Sequence, residues 1–539
     1  MKISIKRIDI SLNPRNLRKK PMKKFIQSHP IEILFSILFL TLAAILNLQF
    51  LEGANVNFTF SGHDEYLTVR EVYSIIEPLS FKHFIMAIIS GDVLYYGRIV
   101  FYIDAIFAYI PYKIWGIEGM VYAIRMTHVI ELLLGVLLLS RFIKSNTGKV
   151  FFIFNVLILY YTAYFVMVPK PEPLQLLFLA IFIIKAHKVN WQFGWHFVWL
   201  GLAYGAKFNV LTVLPLFFIL PYLKGYKKIV GLIKSGFAFV VGITIAIPSL
   251  ILAPIKPIFL KTYLDNTFGK AEHYDDAGVS FATWVKTGWL GAFSGSFWIG
   301  LALVVIVVWV VLVGTKNYFE QKQINTFFIF TLIGIGFLLP VMLFTERLWP
   351  HYLWTSHIFL LLGAGMFVKS QLKFERVKYA LMFLITFGGC WSITAQGKHL
   401  FSLEKQSKSL LENSTLAYSY TQTQKDSFIA VQDITVFYPF EKALKANLYH
   451  PFEVKKPGKE EKMQYHWSGF INPQILMDFN ADFLIVNKSD FENLKINTDS
   501  QKEIAIIKNN ALMRNELGKS IFLDTAFGTL KVYRIKFNN

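Results

Sequence analysis

Apolar and polar positions in this chain segregate into long blocks. An apolar run from Ile31 to Phe50 is followed by others near 119–142, 148–168, 172–187, 192–222, 228–254, 293–314, 324–345, 351–369 and 378–396. Most approach the ~20 residues an α-helix needs to cross about 30 Å of hydrocarbon. Two segments are ambiguous. Residues 93–115 are long enough to span but carry Arg98, Asp104, Pro111 and Lys113, and 192–222 is too long for one span and is interrupted by Gly205-Ala206-Lys207.

The distribution of Lys and Arg resolves both segments together, because cytoplasmic loops collect positive charge. If 93–115 does not cross and 192–222 crosses twice, five basic loops fall on the cytoplasmic side: Arg141/Lys144/Lys149, Lys185/Lys188, Lys224/Lys227/Lys228, Lys316/Lys322 and Lys369/Lys373/Arg376/Lys378. The alternative assignment puts the first two outside. The preferred count is eleven crossings. Residues 1–30 form a basic tail on the cytoplasmic side, with nine Lys/Arg before the first run and one acid, Asp9. No small-residue cleavage site follows near Leu51 to Asn55, so the first run is expected to be a retained helix. An odd number of crossings puts the carboxyl end outside.

Composition removes the soluble alternatives. The 539 residues are 54% hydrophobic and 17% aromatic, with a mean hydropathy of +0.44. A formal charge of +20 would suggest nucleic acid in a soluble protein. Here it sits largely in short loops, so it reads as topology, with anionic membrane lipid as its partner and no nucleic acid. The single cysteine, Cys390, excludes an intrachain disulfide. Richness in Lys, Ile, Asn and Phe fits an AT-rich bacterial genome, hence a cytoplasmic (inner) membrane location with a periplasmic carboxyl end. After residue 397 polar residues become frequent, and Phe428–Tyr438, Phe483–Asn487 and Thr529–Phe537 are β-prone. Residues 31–396 therefore read as a membrane module and 397–539 as a small soluble α/β domain.

The outside loops hold the chemistry-bearing residues. The first reads Ser61-Gly62-His63-Asp64-Glu65-Tyr66 and runs into a helical stretch through Arg70, Glu71 and Glu77. A carboxylate there is placed to act as a base on a hydroxyl or amine acceptor. The same Asp64 also suits a cap on a helix starting at Glu65. The next turn is Pro169-Lys170-Pro171-Glu172-Pro173, and Lys207 stands at a break between two helices. A cation at such a break suits a lipid phosphate, though a lysine there also reaches an interface by snorkelling. Glu346, Arg347, His351 and Tyr352 form a further group, in which Arg347 either clamps phosphate or pairs with Glu346. In the loop 254–290, His273, Asp275 and Asp276 lack a recognisable metal-ligand spacing, so a solvated loop is the simpler reading and a divalent metal has no support. No Walker motif is present, which argues against an ATP-driven pump with its own nucleotide domain.

Asp64-Glu65 in the first outside loop, the semi-polar stretch opening Leu94-Tyr95-Tyr96, Arg125 at the head of a further helix, and Gly201-Leu202-Ala203-Tyr204-Gly205-Ala206-Lys207 occur in that order. This layout resembles the GT-C superfamily of polyprenyl-phosphate-dependent glycosyltransferases, and within it the protein O-mannosyltransferase and aminoarabinose transferase branch. The resemblance implies a GT-C-like polytopic α-helical membrane protein, with juxtamembrane helices after the first loop. It implies inverting transfer of a sugar from a polyprenyl-phosphate donor to a protein, glycan or lipid acceptor. Asp64 would be the base, with Glu65 orienting the acceptor, and Lys207 and Arg347 would hold the donor phosphate. Where many members carry His-Pro-Pro, this chain has Val93-Leu94-Tyr95-Tyr96-Gly97-Arg98, which makes Arg98 a further phosphate contact. His63, Glu172, His351 and Tyr352 are expected near the substrates. The competing reading is a polysaccharide polymerase or flippase-like carrier, for which the acidic pair would not be the most sensitive site.

Overall fold

The computed structural model describes residues 29–49, 63–78, 80–89, 97–226, 228–252, 254, 297–321, 324–344, 353–367, 375–424, 429–433, 464–468, 482–487, 519–528 and 530–537. Its helices are α1 (Pro30–Gln49), α2 (His63–Ile76), α3 (Phe81–Ile89), α4 (Arg98–Ser140), α5 (Asn146–Leu157), α6 (Tyr160–Met167) and α7 (Glu172–Lys188). They continue as α8 (Phe197–Ala206), α9 (Leu214–Leu223), α10 (Ile229–Ala246), α11 (Phe297–Gln321), α12 (Thr326–Phe344), α13 (Trp354–Phe367) and α14 (Glu375–Gln424). Among the described residues four segments are long and apolar enough to cross a membrane by themselves, in α1, α4, α10 and α11. Outward faces are apolar: α1 exposes Leu34, Ile37, Leu38 and Leu42, and α10 exposes Val230, Ile233, Phe237 and Val240. Such continuous exposed stripes suit lipid and not water.

The two ambiguous segments both fold back on themselves. Residues 192–222 form a there-and-back pair. After α8 the chain takes a 3₁₀ turn (Phe208–Thr212) and returns through α9, so that Tyr222 meets Phe193 with ring centroids 5.3 Å apart. Residues 98–115 are the first arm of α4, and Gly116 (φ 66°, ψ −147°) reverses the chain into the second arm. Only glycine takes that backbone conformation readily. The arms then pack on each other, Phe101, Ala105 and Ala108 joining Met120, Val121 and Ile124 in one apolar cluster.

Contacts between helix ends sort them into two layers. In one lie Glu32 with Lys149, Phe142 with His187, Asn190 with Tyr226, and Lys224 with the carbonyl of Ile324. In the other lie Glu172 with Lys207, Asn47 with the carbonyl of Val166, and Trp354 with Thr162. Among the described residues, Arg141, Lys144, Lys149, Lys185, Lys188, Lys224 and Lys228 border the first layer.

Helices α8 and α10 approach closely because their facing positions are small. A side chain at Gly201 would strike the carbonyl of Phe239, one at Gly242 the carbonyl of Val198, and one at Gly205 would strike Ala246. Without a hydrophobic drive between helices in lipid, such backbone proximity is the main source of packing energy. It fixes the end of α8, and with it Lys207.

Hydropathy changes near residue 397, but α14 runs on through that point to Gln424. Beyond it lie β1 (Ile429–Asp433), β2 (Gln464–Ser468), β3 (Phe483–Asn487), β4 (Lys519–Phe527) and β5 (Leu530–Phe537), in the order β2-β1-β3-β5-β4. β1 is parallel to β2 and β3, whereas β5 is antiparallel to β3 and β4. The sheet's Phe483, Ile485, Leu530 and Val532 share an apolar cluster with Val69, Val72 and Tyr73 of α2. The carboxyl-terminal sheet is thereby joined to the helix that begins with the Asp64-Glu65 pair.

Candidate active site

The second layer of helix ends holds a buried ion pair. Lys207 caps α8 in extended backbone (φ −152°, ψ 134°) and donates to Oε1 of Glu172, at the first position of α7. Both side chains are buried, at 10% and 1% exposure, so snorkelling does not describe this lysine. Gln175, one turn along α7, donates to the carbonyl of Lys207 at 2.8 Å and to Asn209. The break after Ala206 is thus held from α7 by a side-chain amide, which takes the place of the missing helical hydrogen bonds. Oε2 of Glu172 is buried and makes no hydrogen bond.

Arg98 is buried against the same region. Its guanidinium donates to Glu71 and to the carbonyl of Ala87, and lies 4.8 Å from the centroid of the Phe101 ring. The preceding Gly97 rests on the backbone of Gly205, two residues before Lys207, where a Cβ would collide with the Gly205 carbonyl. The arm bearing Arg98 and the helix bearing Lys207 therefore touch. Arg98 itself ties α4 to α2 and α3.

The α2 helix begins at His63, so Asp64 and Glu65 lie in its first turn and their side chains fall outside the described residues. Position 64 is seven residues, two helical turns or about 10 Å, before Glu71 on the same helix face. His63 is the first residue of this helix, with its side chain also outside the description. Arg347, His351, Tyr352 and the loop residues His273, Asp275 and Asp276 lie outside the described residues. Among the described residues no group of three or more His, Cys, Asp or Glu is arranged to hold a metal ion.

A second buried group was not singled out by the sequence. His128 Nε2 lies 3.0 Å from Asp104 Oδ2, and its Nδ1 lies 3.7 Å from Glu131 Oε2. All three are almost wholly enclosed, and the main chain of Lys170 approaches the same ring. The signal was present in Gly116: Asp104 and His128 stand twelve residues to either side of it, at matching heights once the chain reverses there.

No known family's sequence profile matches the chain, and no curated protein matches it either. Among solved structures it is similar to ArnT from Cupriavidus metallidurans bound to undecaprenyl phosphate, with a TM-score of 0.55 and 10% identity over 92% of this chain and 97% of that one. Against ArnT from the same organism in the apo state the TM-score is 0.54, at the same identity and coverage. At that identity the likeness establishes the fold. The polytopic helical fold expected from the order of the sequence motifs is the fold that these two structures share with the chain.

Proposed function

We propose that the chain is a membrane glycosyltransferase that moves a sugar from a polyprenyl-phosphate carrier, of the undecaprenyl type, to an acceptor on the extracytoplasmic face. The observation that carries this reading is the buried Lys207 at the broken end of α8, in a fold shared along almost its whole length with a protein crystallised with undecaprenyl phosphate. Counted from Lys188, the 17 residues of α7 rise about 25 Å, less than the roughly 30 Å of the hydrocarbon core. That depth suits Lys207 to the head group of an outer-leaflet lipid phosphate. An intramembrane cation is costly to hold and marks a functional site by default.

In this reading Lys207 neutralises the donor phosphate, and Arg347 supplies a second cation. Glu172 holds the ammonium in place until the phosphate arrives and then shares it. Asp64 takes the proton that the acceptor hydroxyl or amine loses as the new bond forms at the anomeric carbon, from the side opposite the departing phosphate. The phosphate leaves on its lipid and the anomeric configuration inverts. Glu65 orients the acceptor, with His63, His351 and Tyr352 near the substrates. Arg98 acts on the site by holding α2 in place. The amino-terminal tail is cytoplasmic, and residues after the last crossing form the periplasmic domain.

A polymerase or flippase-like carrier would also bind a polyprenyl phosphate, but the acidic pair at 64 and 65 would not be its most sensitive site. Purified protein titrated with undecaprenyl phosphate in detergent should bind it saturably, and Lys207→Ala should weaken that binding. Wild-type protein that binds no better than the detergent blank would contradict the donor assignment.

A further inference from the structure

Three ionisable side chains are enclosed inside the bundle away from the Lys207–Glu172 pair. Asp104 belongs to the first arm of α4, and His128 and Glu131 to the second. The Asp104 and His128 side chains are 1% and 0% exposed, and that of Glu131 is 7% exposed. Asp104 Oδ1, His128 Nδ1 and Glu131 Oε2 are buried without a hydrogen bond of good geometry. Placing two carboxylates in such a setting is expensive, and apolar residues of similar volume would commonly hold the bundle as well or better. Stability alone is a poor account of the group.

Its position offers a better one. Through Asp104 the His128 ring grips the arm that carries Arg98, less than two turns away. The same ring lies against the main chain of Lys170, two residues before Glu172. Gly97 at the arm's end abuts Gly205, beside Lys207. A single imidazole thus touches both the element that fixes α2 and the turn that presents Glu172 to Lys207. Buried polar contacts of this kind select one register among packings that apolar surfaces would allow to slide.

Building on the donor site proposed above, we infer that His128 is a positioning residue that locks the first arm of α4 to the Lys170–Pro173 turn and so sets the geometry of the phosphate site. Glu131, on the second side of the ring, orients it.

The test uses full-length protein with Cys390→Ser and spin labels at Ile106→Cys, on the exposed face of the arm, and Val189→Cys, just past α7. His128→Gln keeps a polar side chain but loses the two-sided grip. It should broaden the 106–189 distance distribution and weaken undecaprenyl phosphate binding roughly tenfold, the scale of losing a group that orients a ligand-binding residue. The exchange of Asp104→His with His128→Asp rebuilds the pair in reverse order and should recover both readouts in part, which a general loss of packing would not permit. An unchanged distance distribution in His128→Gln overturns the lock. A broadened distribution with unchanged affinity overturns its link to the phosphate site, as does failure of the exchange to recover either readout. If wild-type protein does not bind undecaprenyl phosphate, the donor assignment fails and the link with it, while the distance measurement still decides whether the lock exists.

Discussion

Lys207, at the end of α8, donates to the carboxylate of Glu172, at the start of α7, and this buried pair joins two helices at the end of the bundle where the chain also brings Gly97 against Gly205. Removing either partner alone leaves a buried charge uncompensated, which costs about 3–5 kcal/mol. Lys207→Met should therefore lower thermal stability and weaken undecaprenyl phosphate binding. Lys207→Met with Glu172→Gln should regain most of the stability without regaining binding. Recovery of binding in the double variant would place the phosphate elsewhere.

Arg98 tests a different role. Because its guanidinium is occupied by Glu71 and the Ala87 carbonyl, Arg98→Gln should destabilise the protein by about 3 kcal/mol, the low end for breaking a buried pair. Donor affinity should fall less than in Lys207→Ala. The two variants compared in one melting series and one binding titration give the answer. An Arg98→Gln protein of normal stability that binds donor as poorly as Lys207→Ala would assign Arg98 to the phosphate directly.

The close α8–α10 crossing makes its own forecast. Gly201→Val inserts a branched side chain where even a Cβ would meet the Phe239 carbonyl, and overpacking of this kind costs about 1–3 kcal/mol. Gly236, which has open space around it, should accept Ala with little change. Equal melting temperatures for Gly201→Val and wild type would mean that the helices do not pack through these glycines.

Much of this architecture was legible in the sequence because lipid imposes simple rules. Apolar runs give helices, and Lys and Arg sort their ends. The Gly205-Ala206-Lys207 interruption was enough to divide 192–222 into the returning pair that α8 and α9 form. What escaped notice depended on packing. His128 and Glu131 sit within an apolar run and Asp104 in the ambiguous segment 93–115, and the three become neighbours only through the reversal at Gly116. The reach of α14 to Gln424 was hidden because composition changes at 397 while helical backbone does not. Strands β2 and β4 carry His466, Trp467, Lys519 and Asp524 among their residues, so a hydrophobicity-led search passes over them.

Topology is open to direct test in a Cys390→Ser background. Cysteines replacing Lys20, Asn146 and Tyr226 should be shielded from an impermeant thiol reagent in intact cells. Those replacing Phe60, Asp275 and Glu460 should react. Labelling at 146 from outside would reverse the assignment of the second layer of helix ends to the periplasmic face.

In the proposed reaction Asp64 is the base of the sugar transfer. Asp64→Asn keeps the side chain's size and its fitness as a helix cap, since Asn caps as well as Asp, but removes its basicity. The decisive measurement compares wild type and Asp64→Asn, at matched membrane abundance, for transfer of sugar from a polyprenyl-phosphate donor pool into cell-envelope acceptors. Transfer should fall by roughly 10² or more, the scale of losing a positioned base, while folding and undecaprenyl phosphate binding persist and Glu65→Gln is affected less. Full transfer activity in Asp64→Asn would rule out Asp64 as the base.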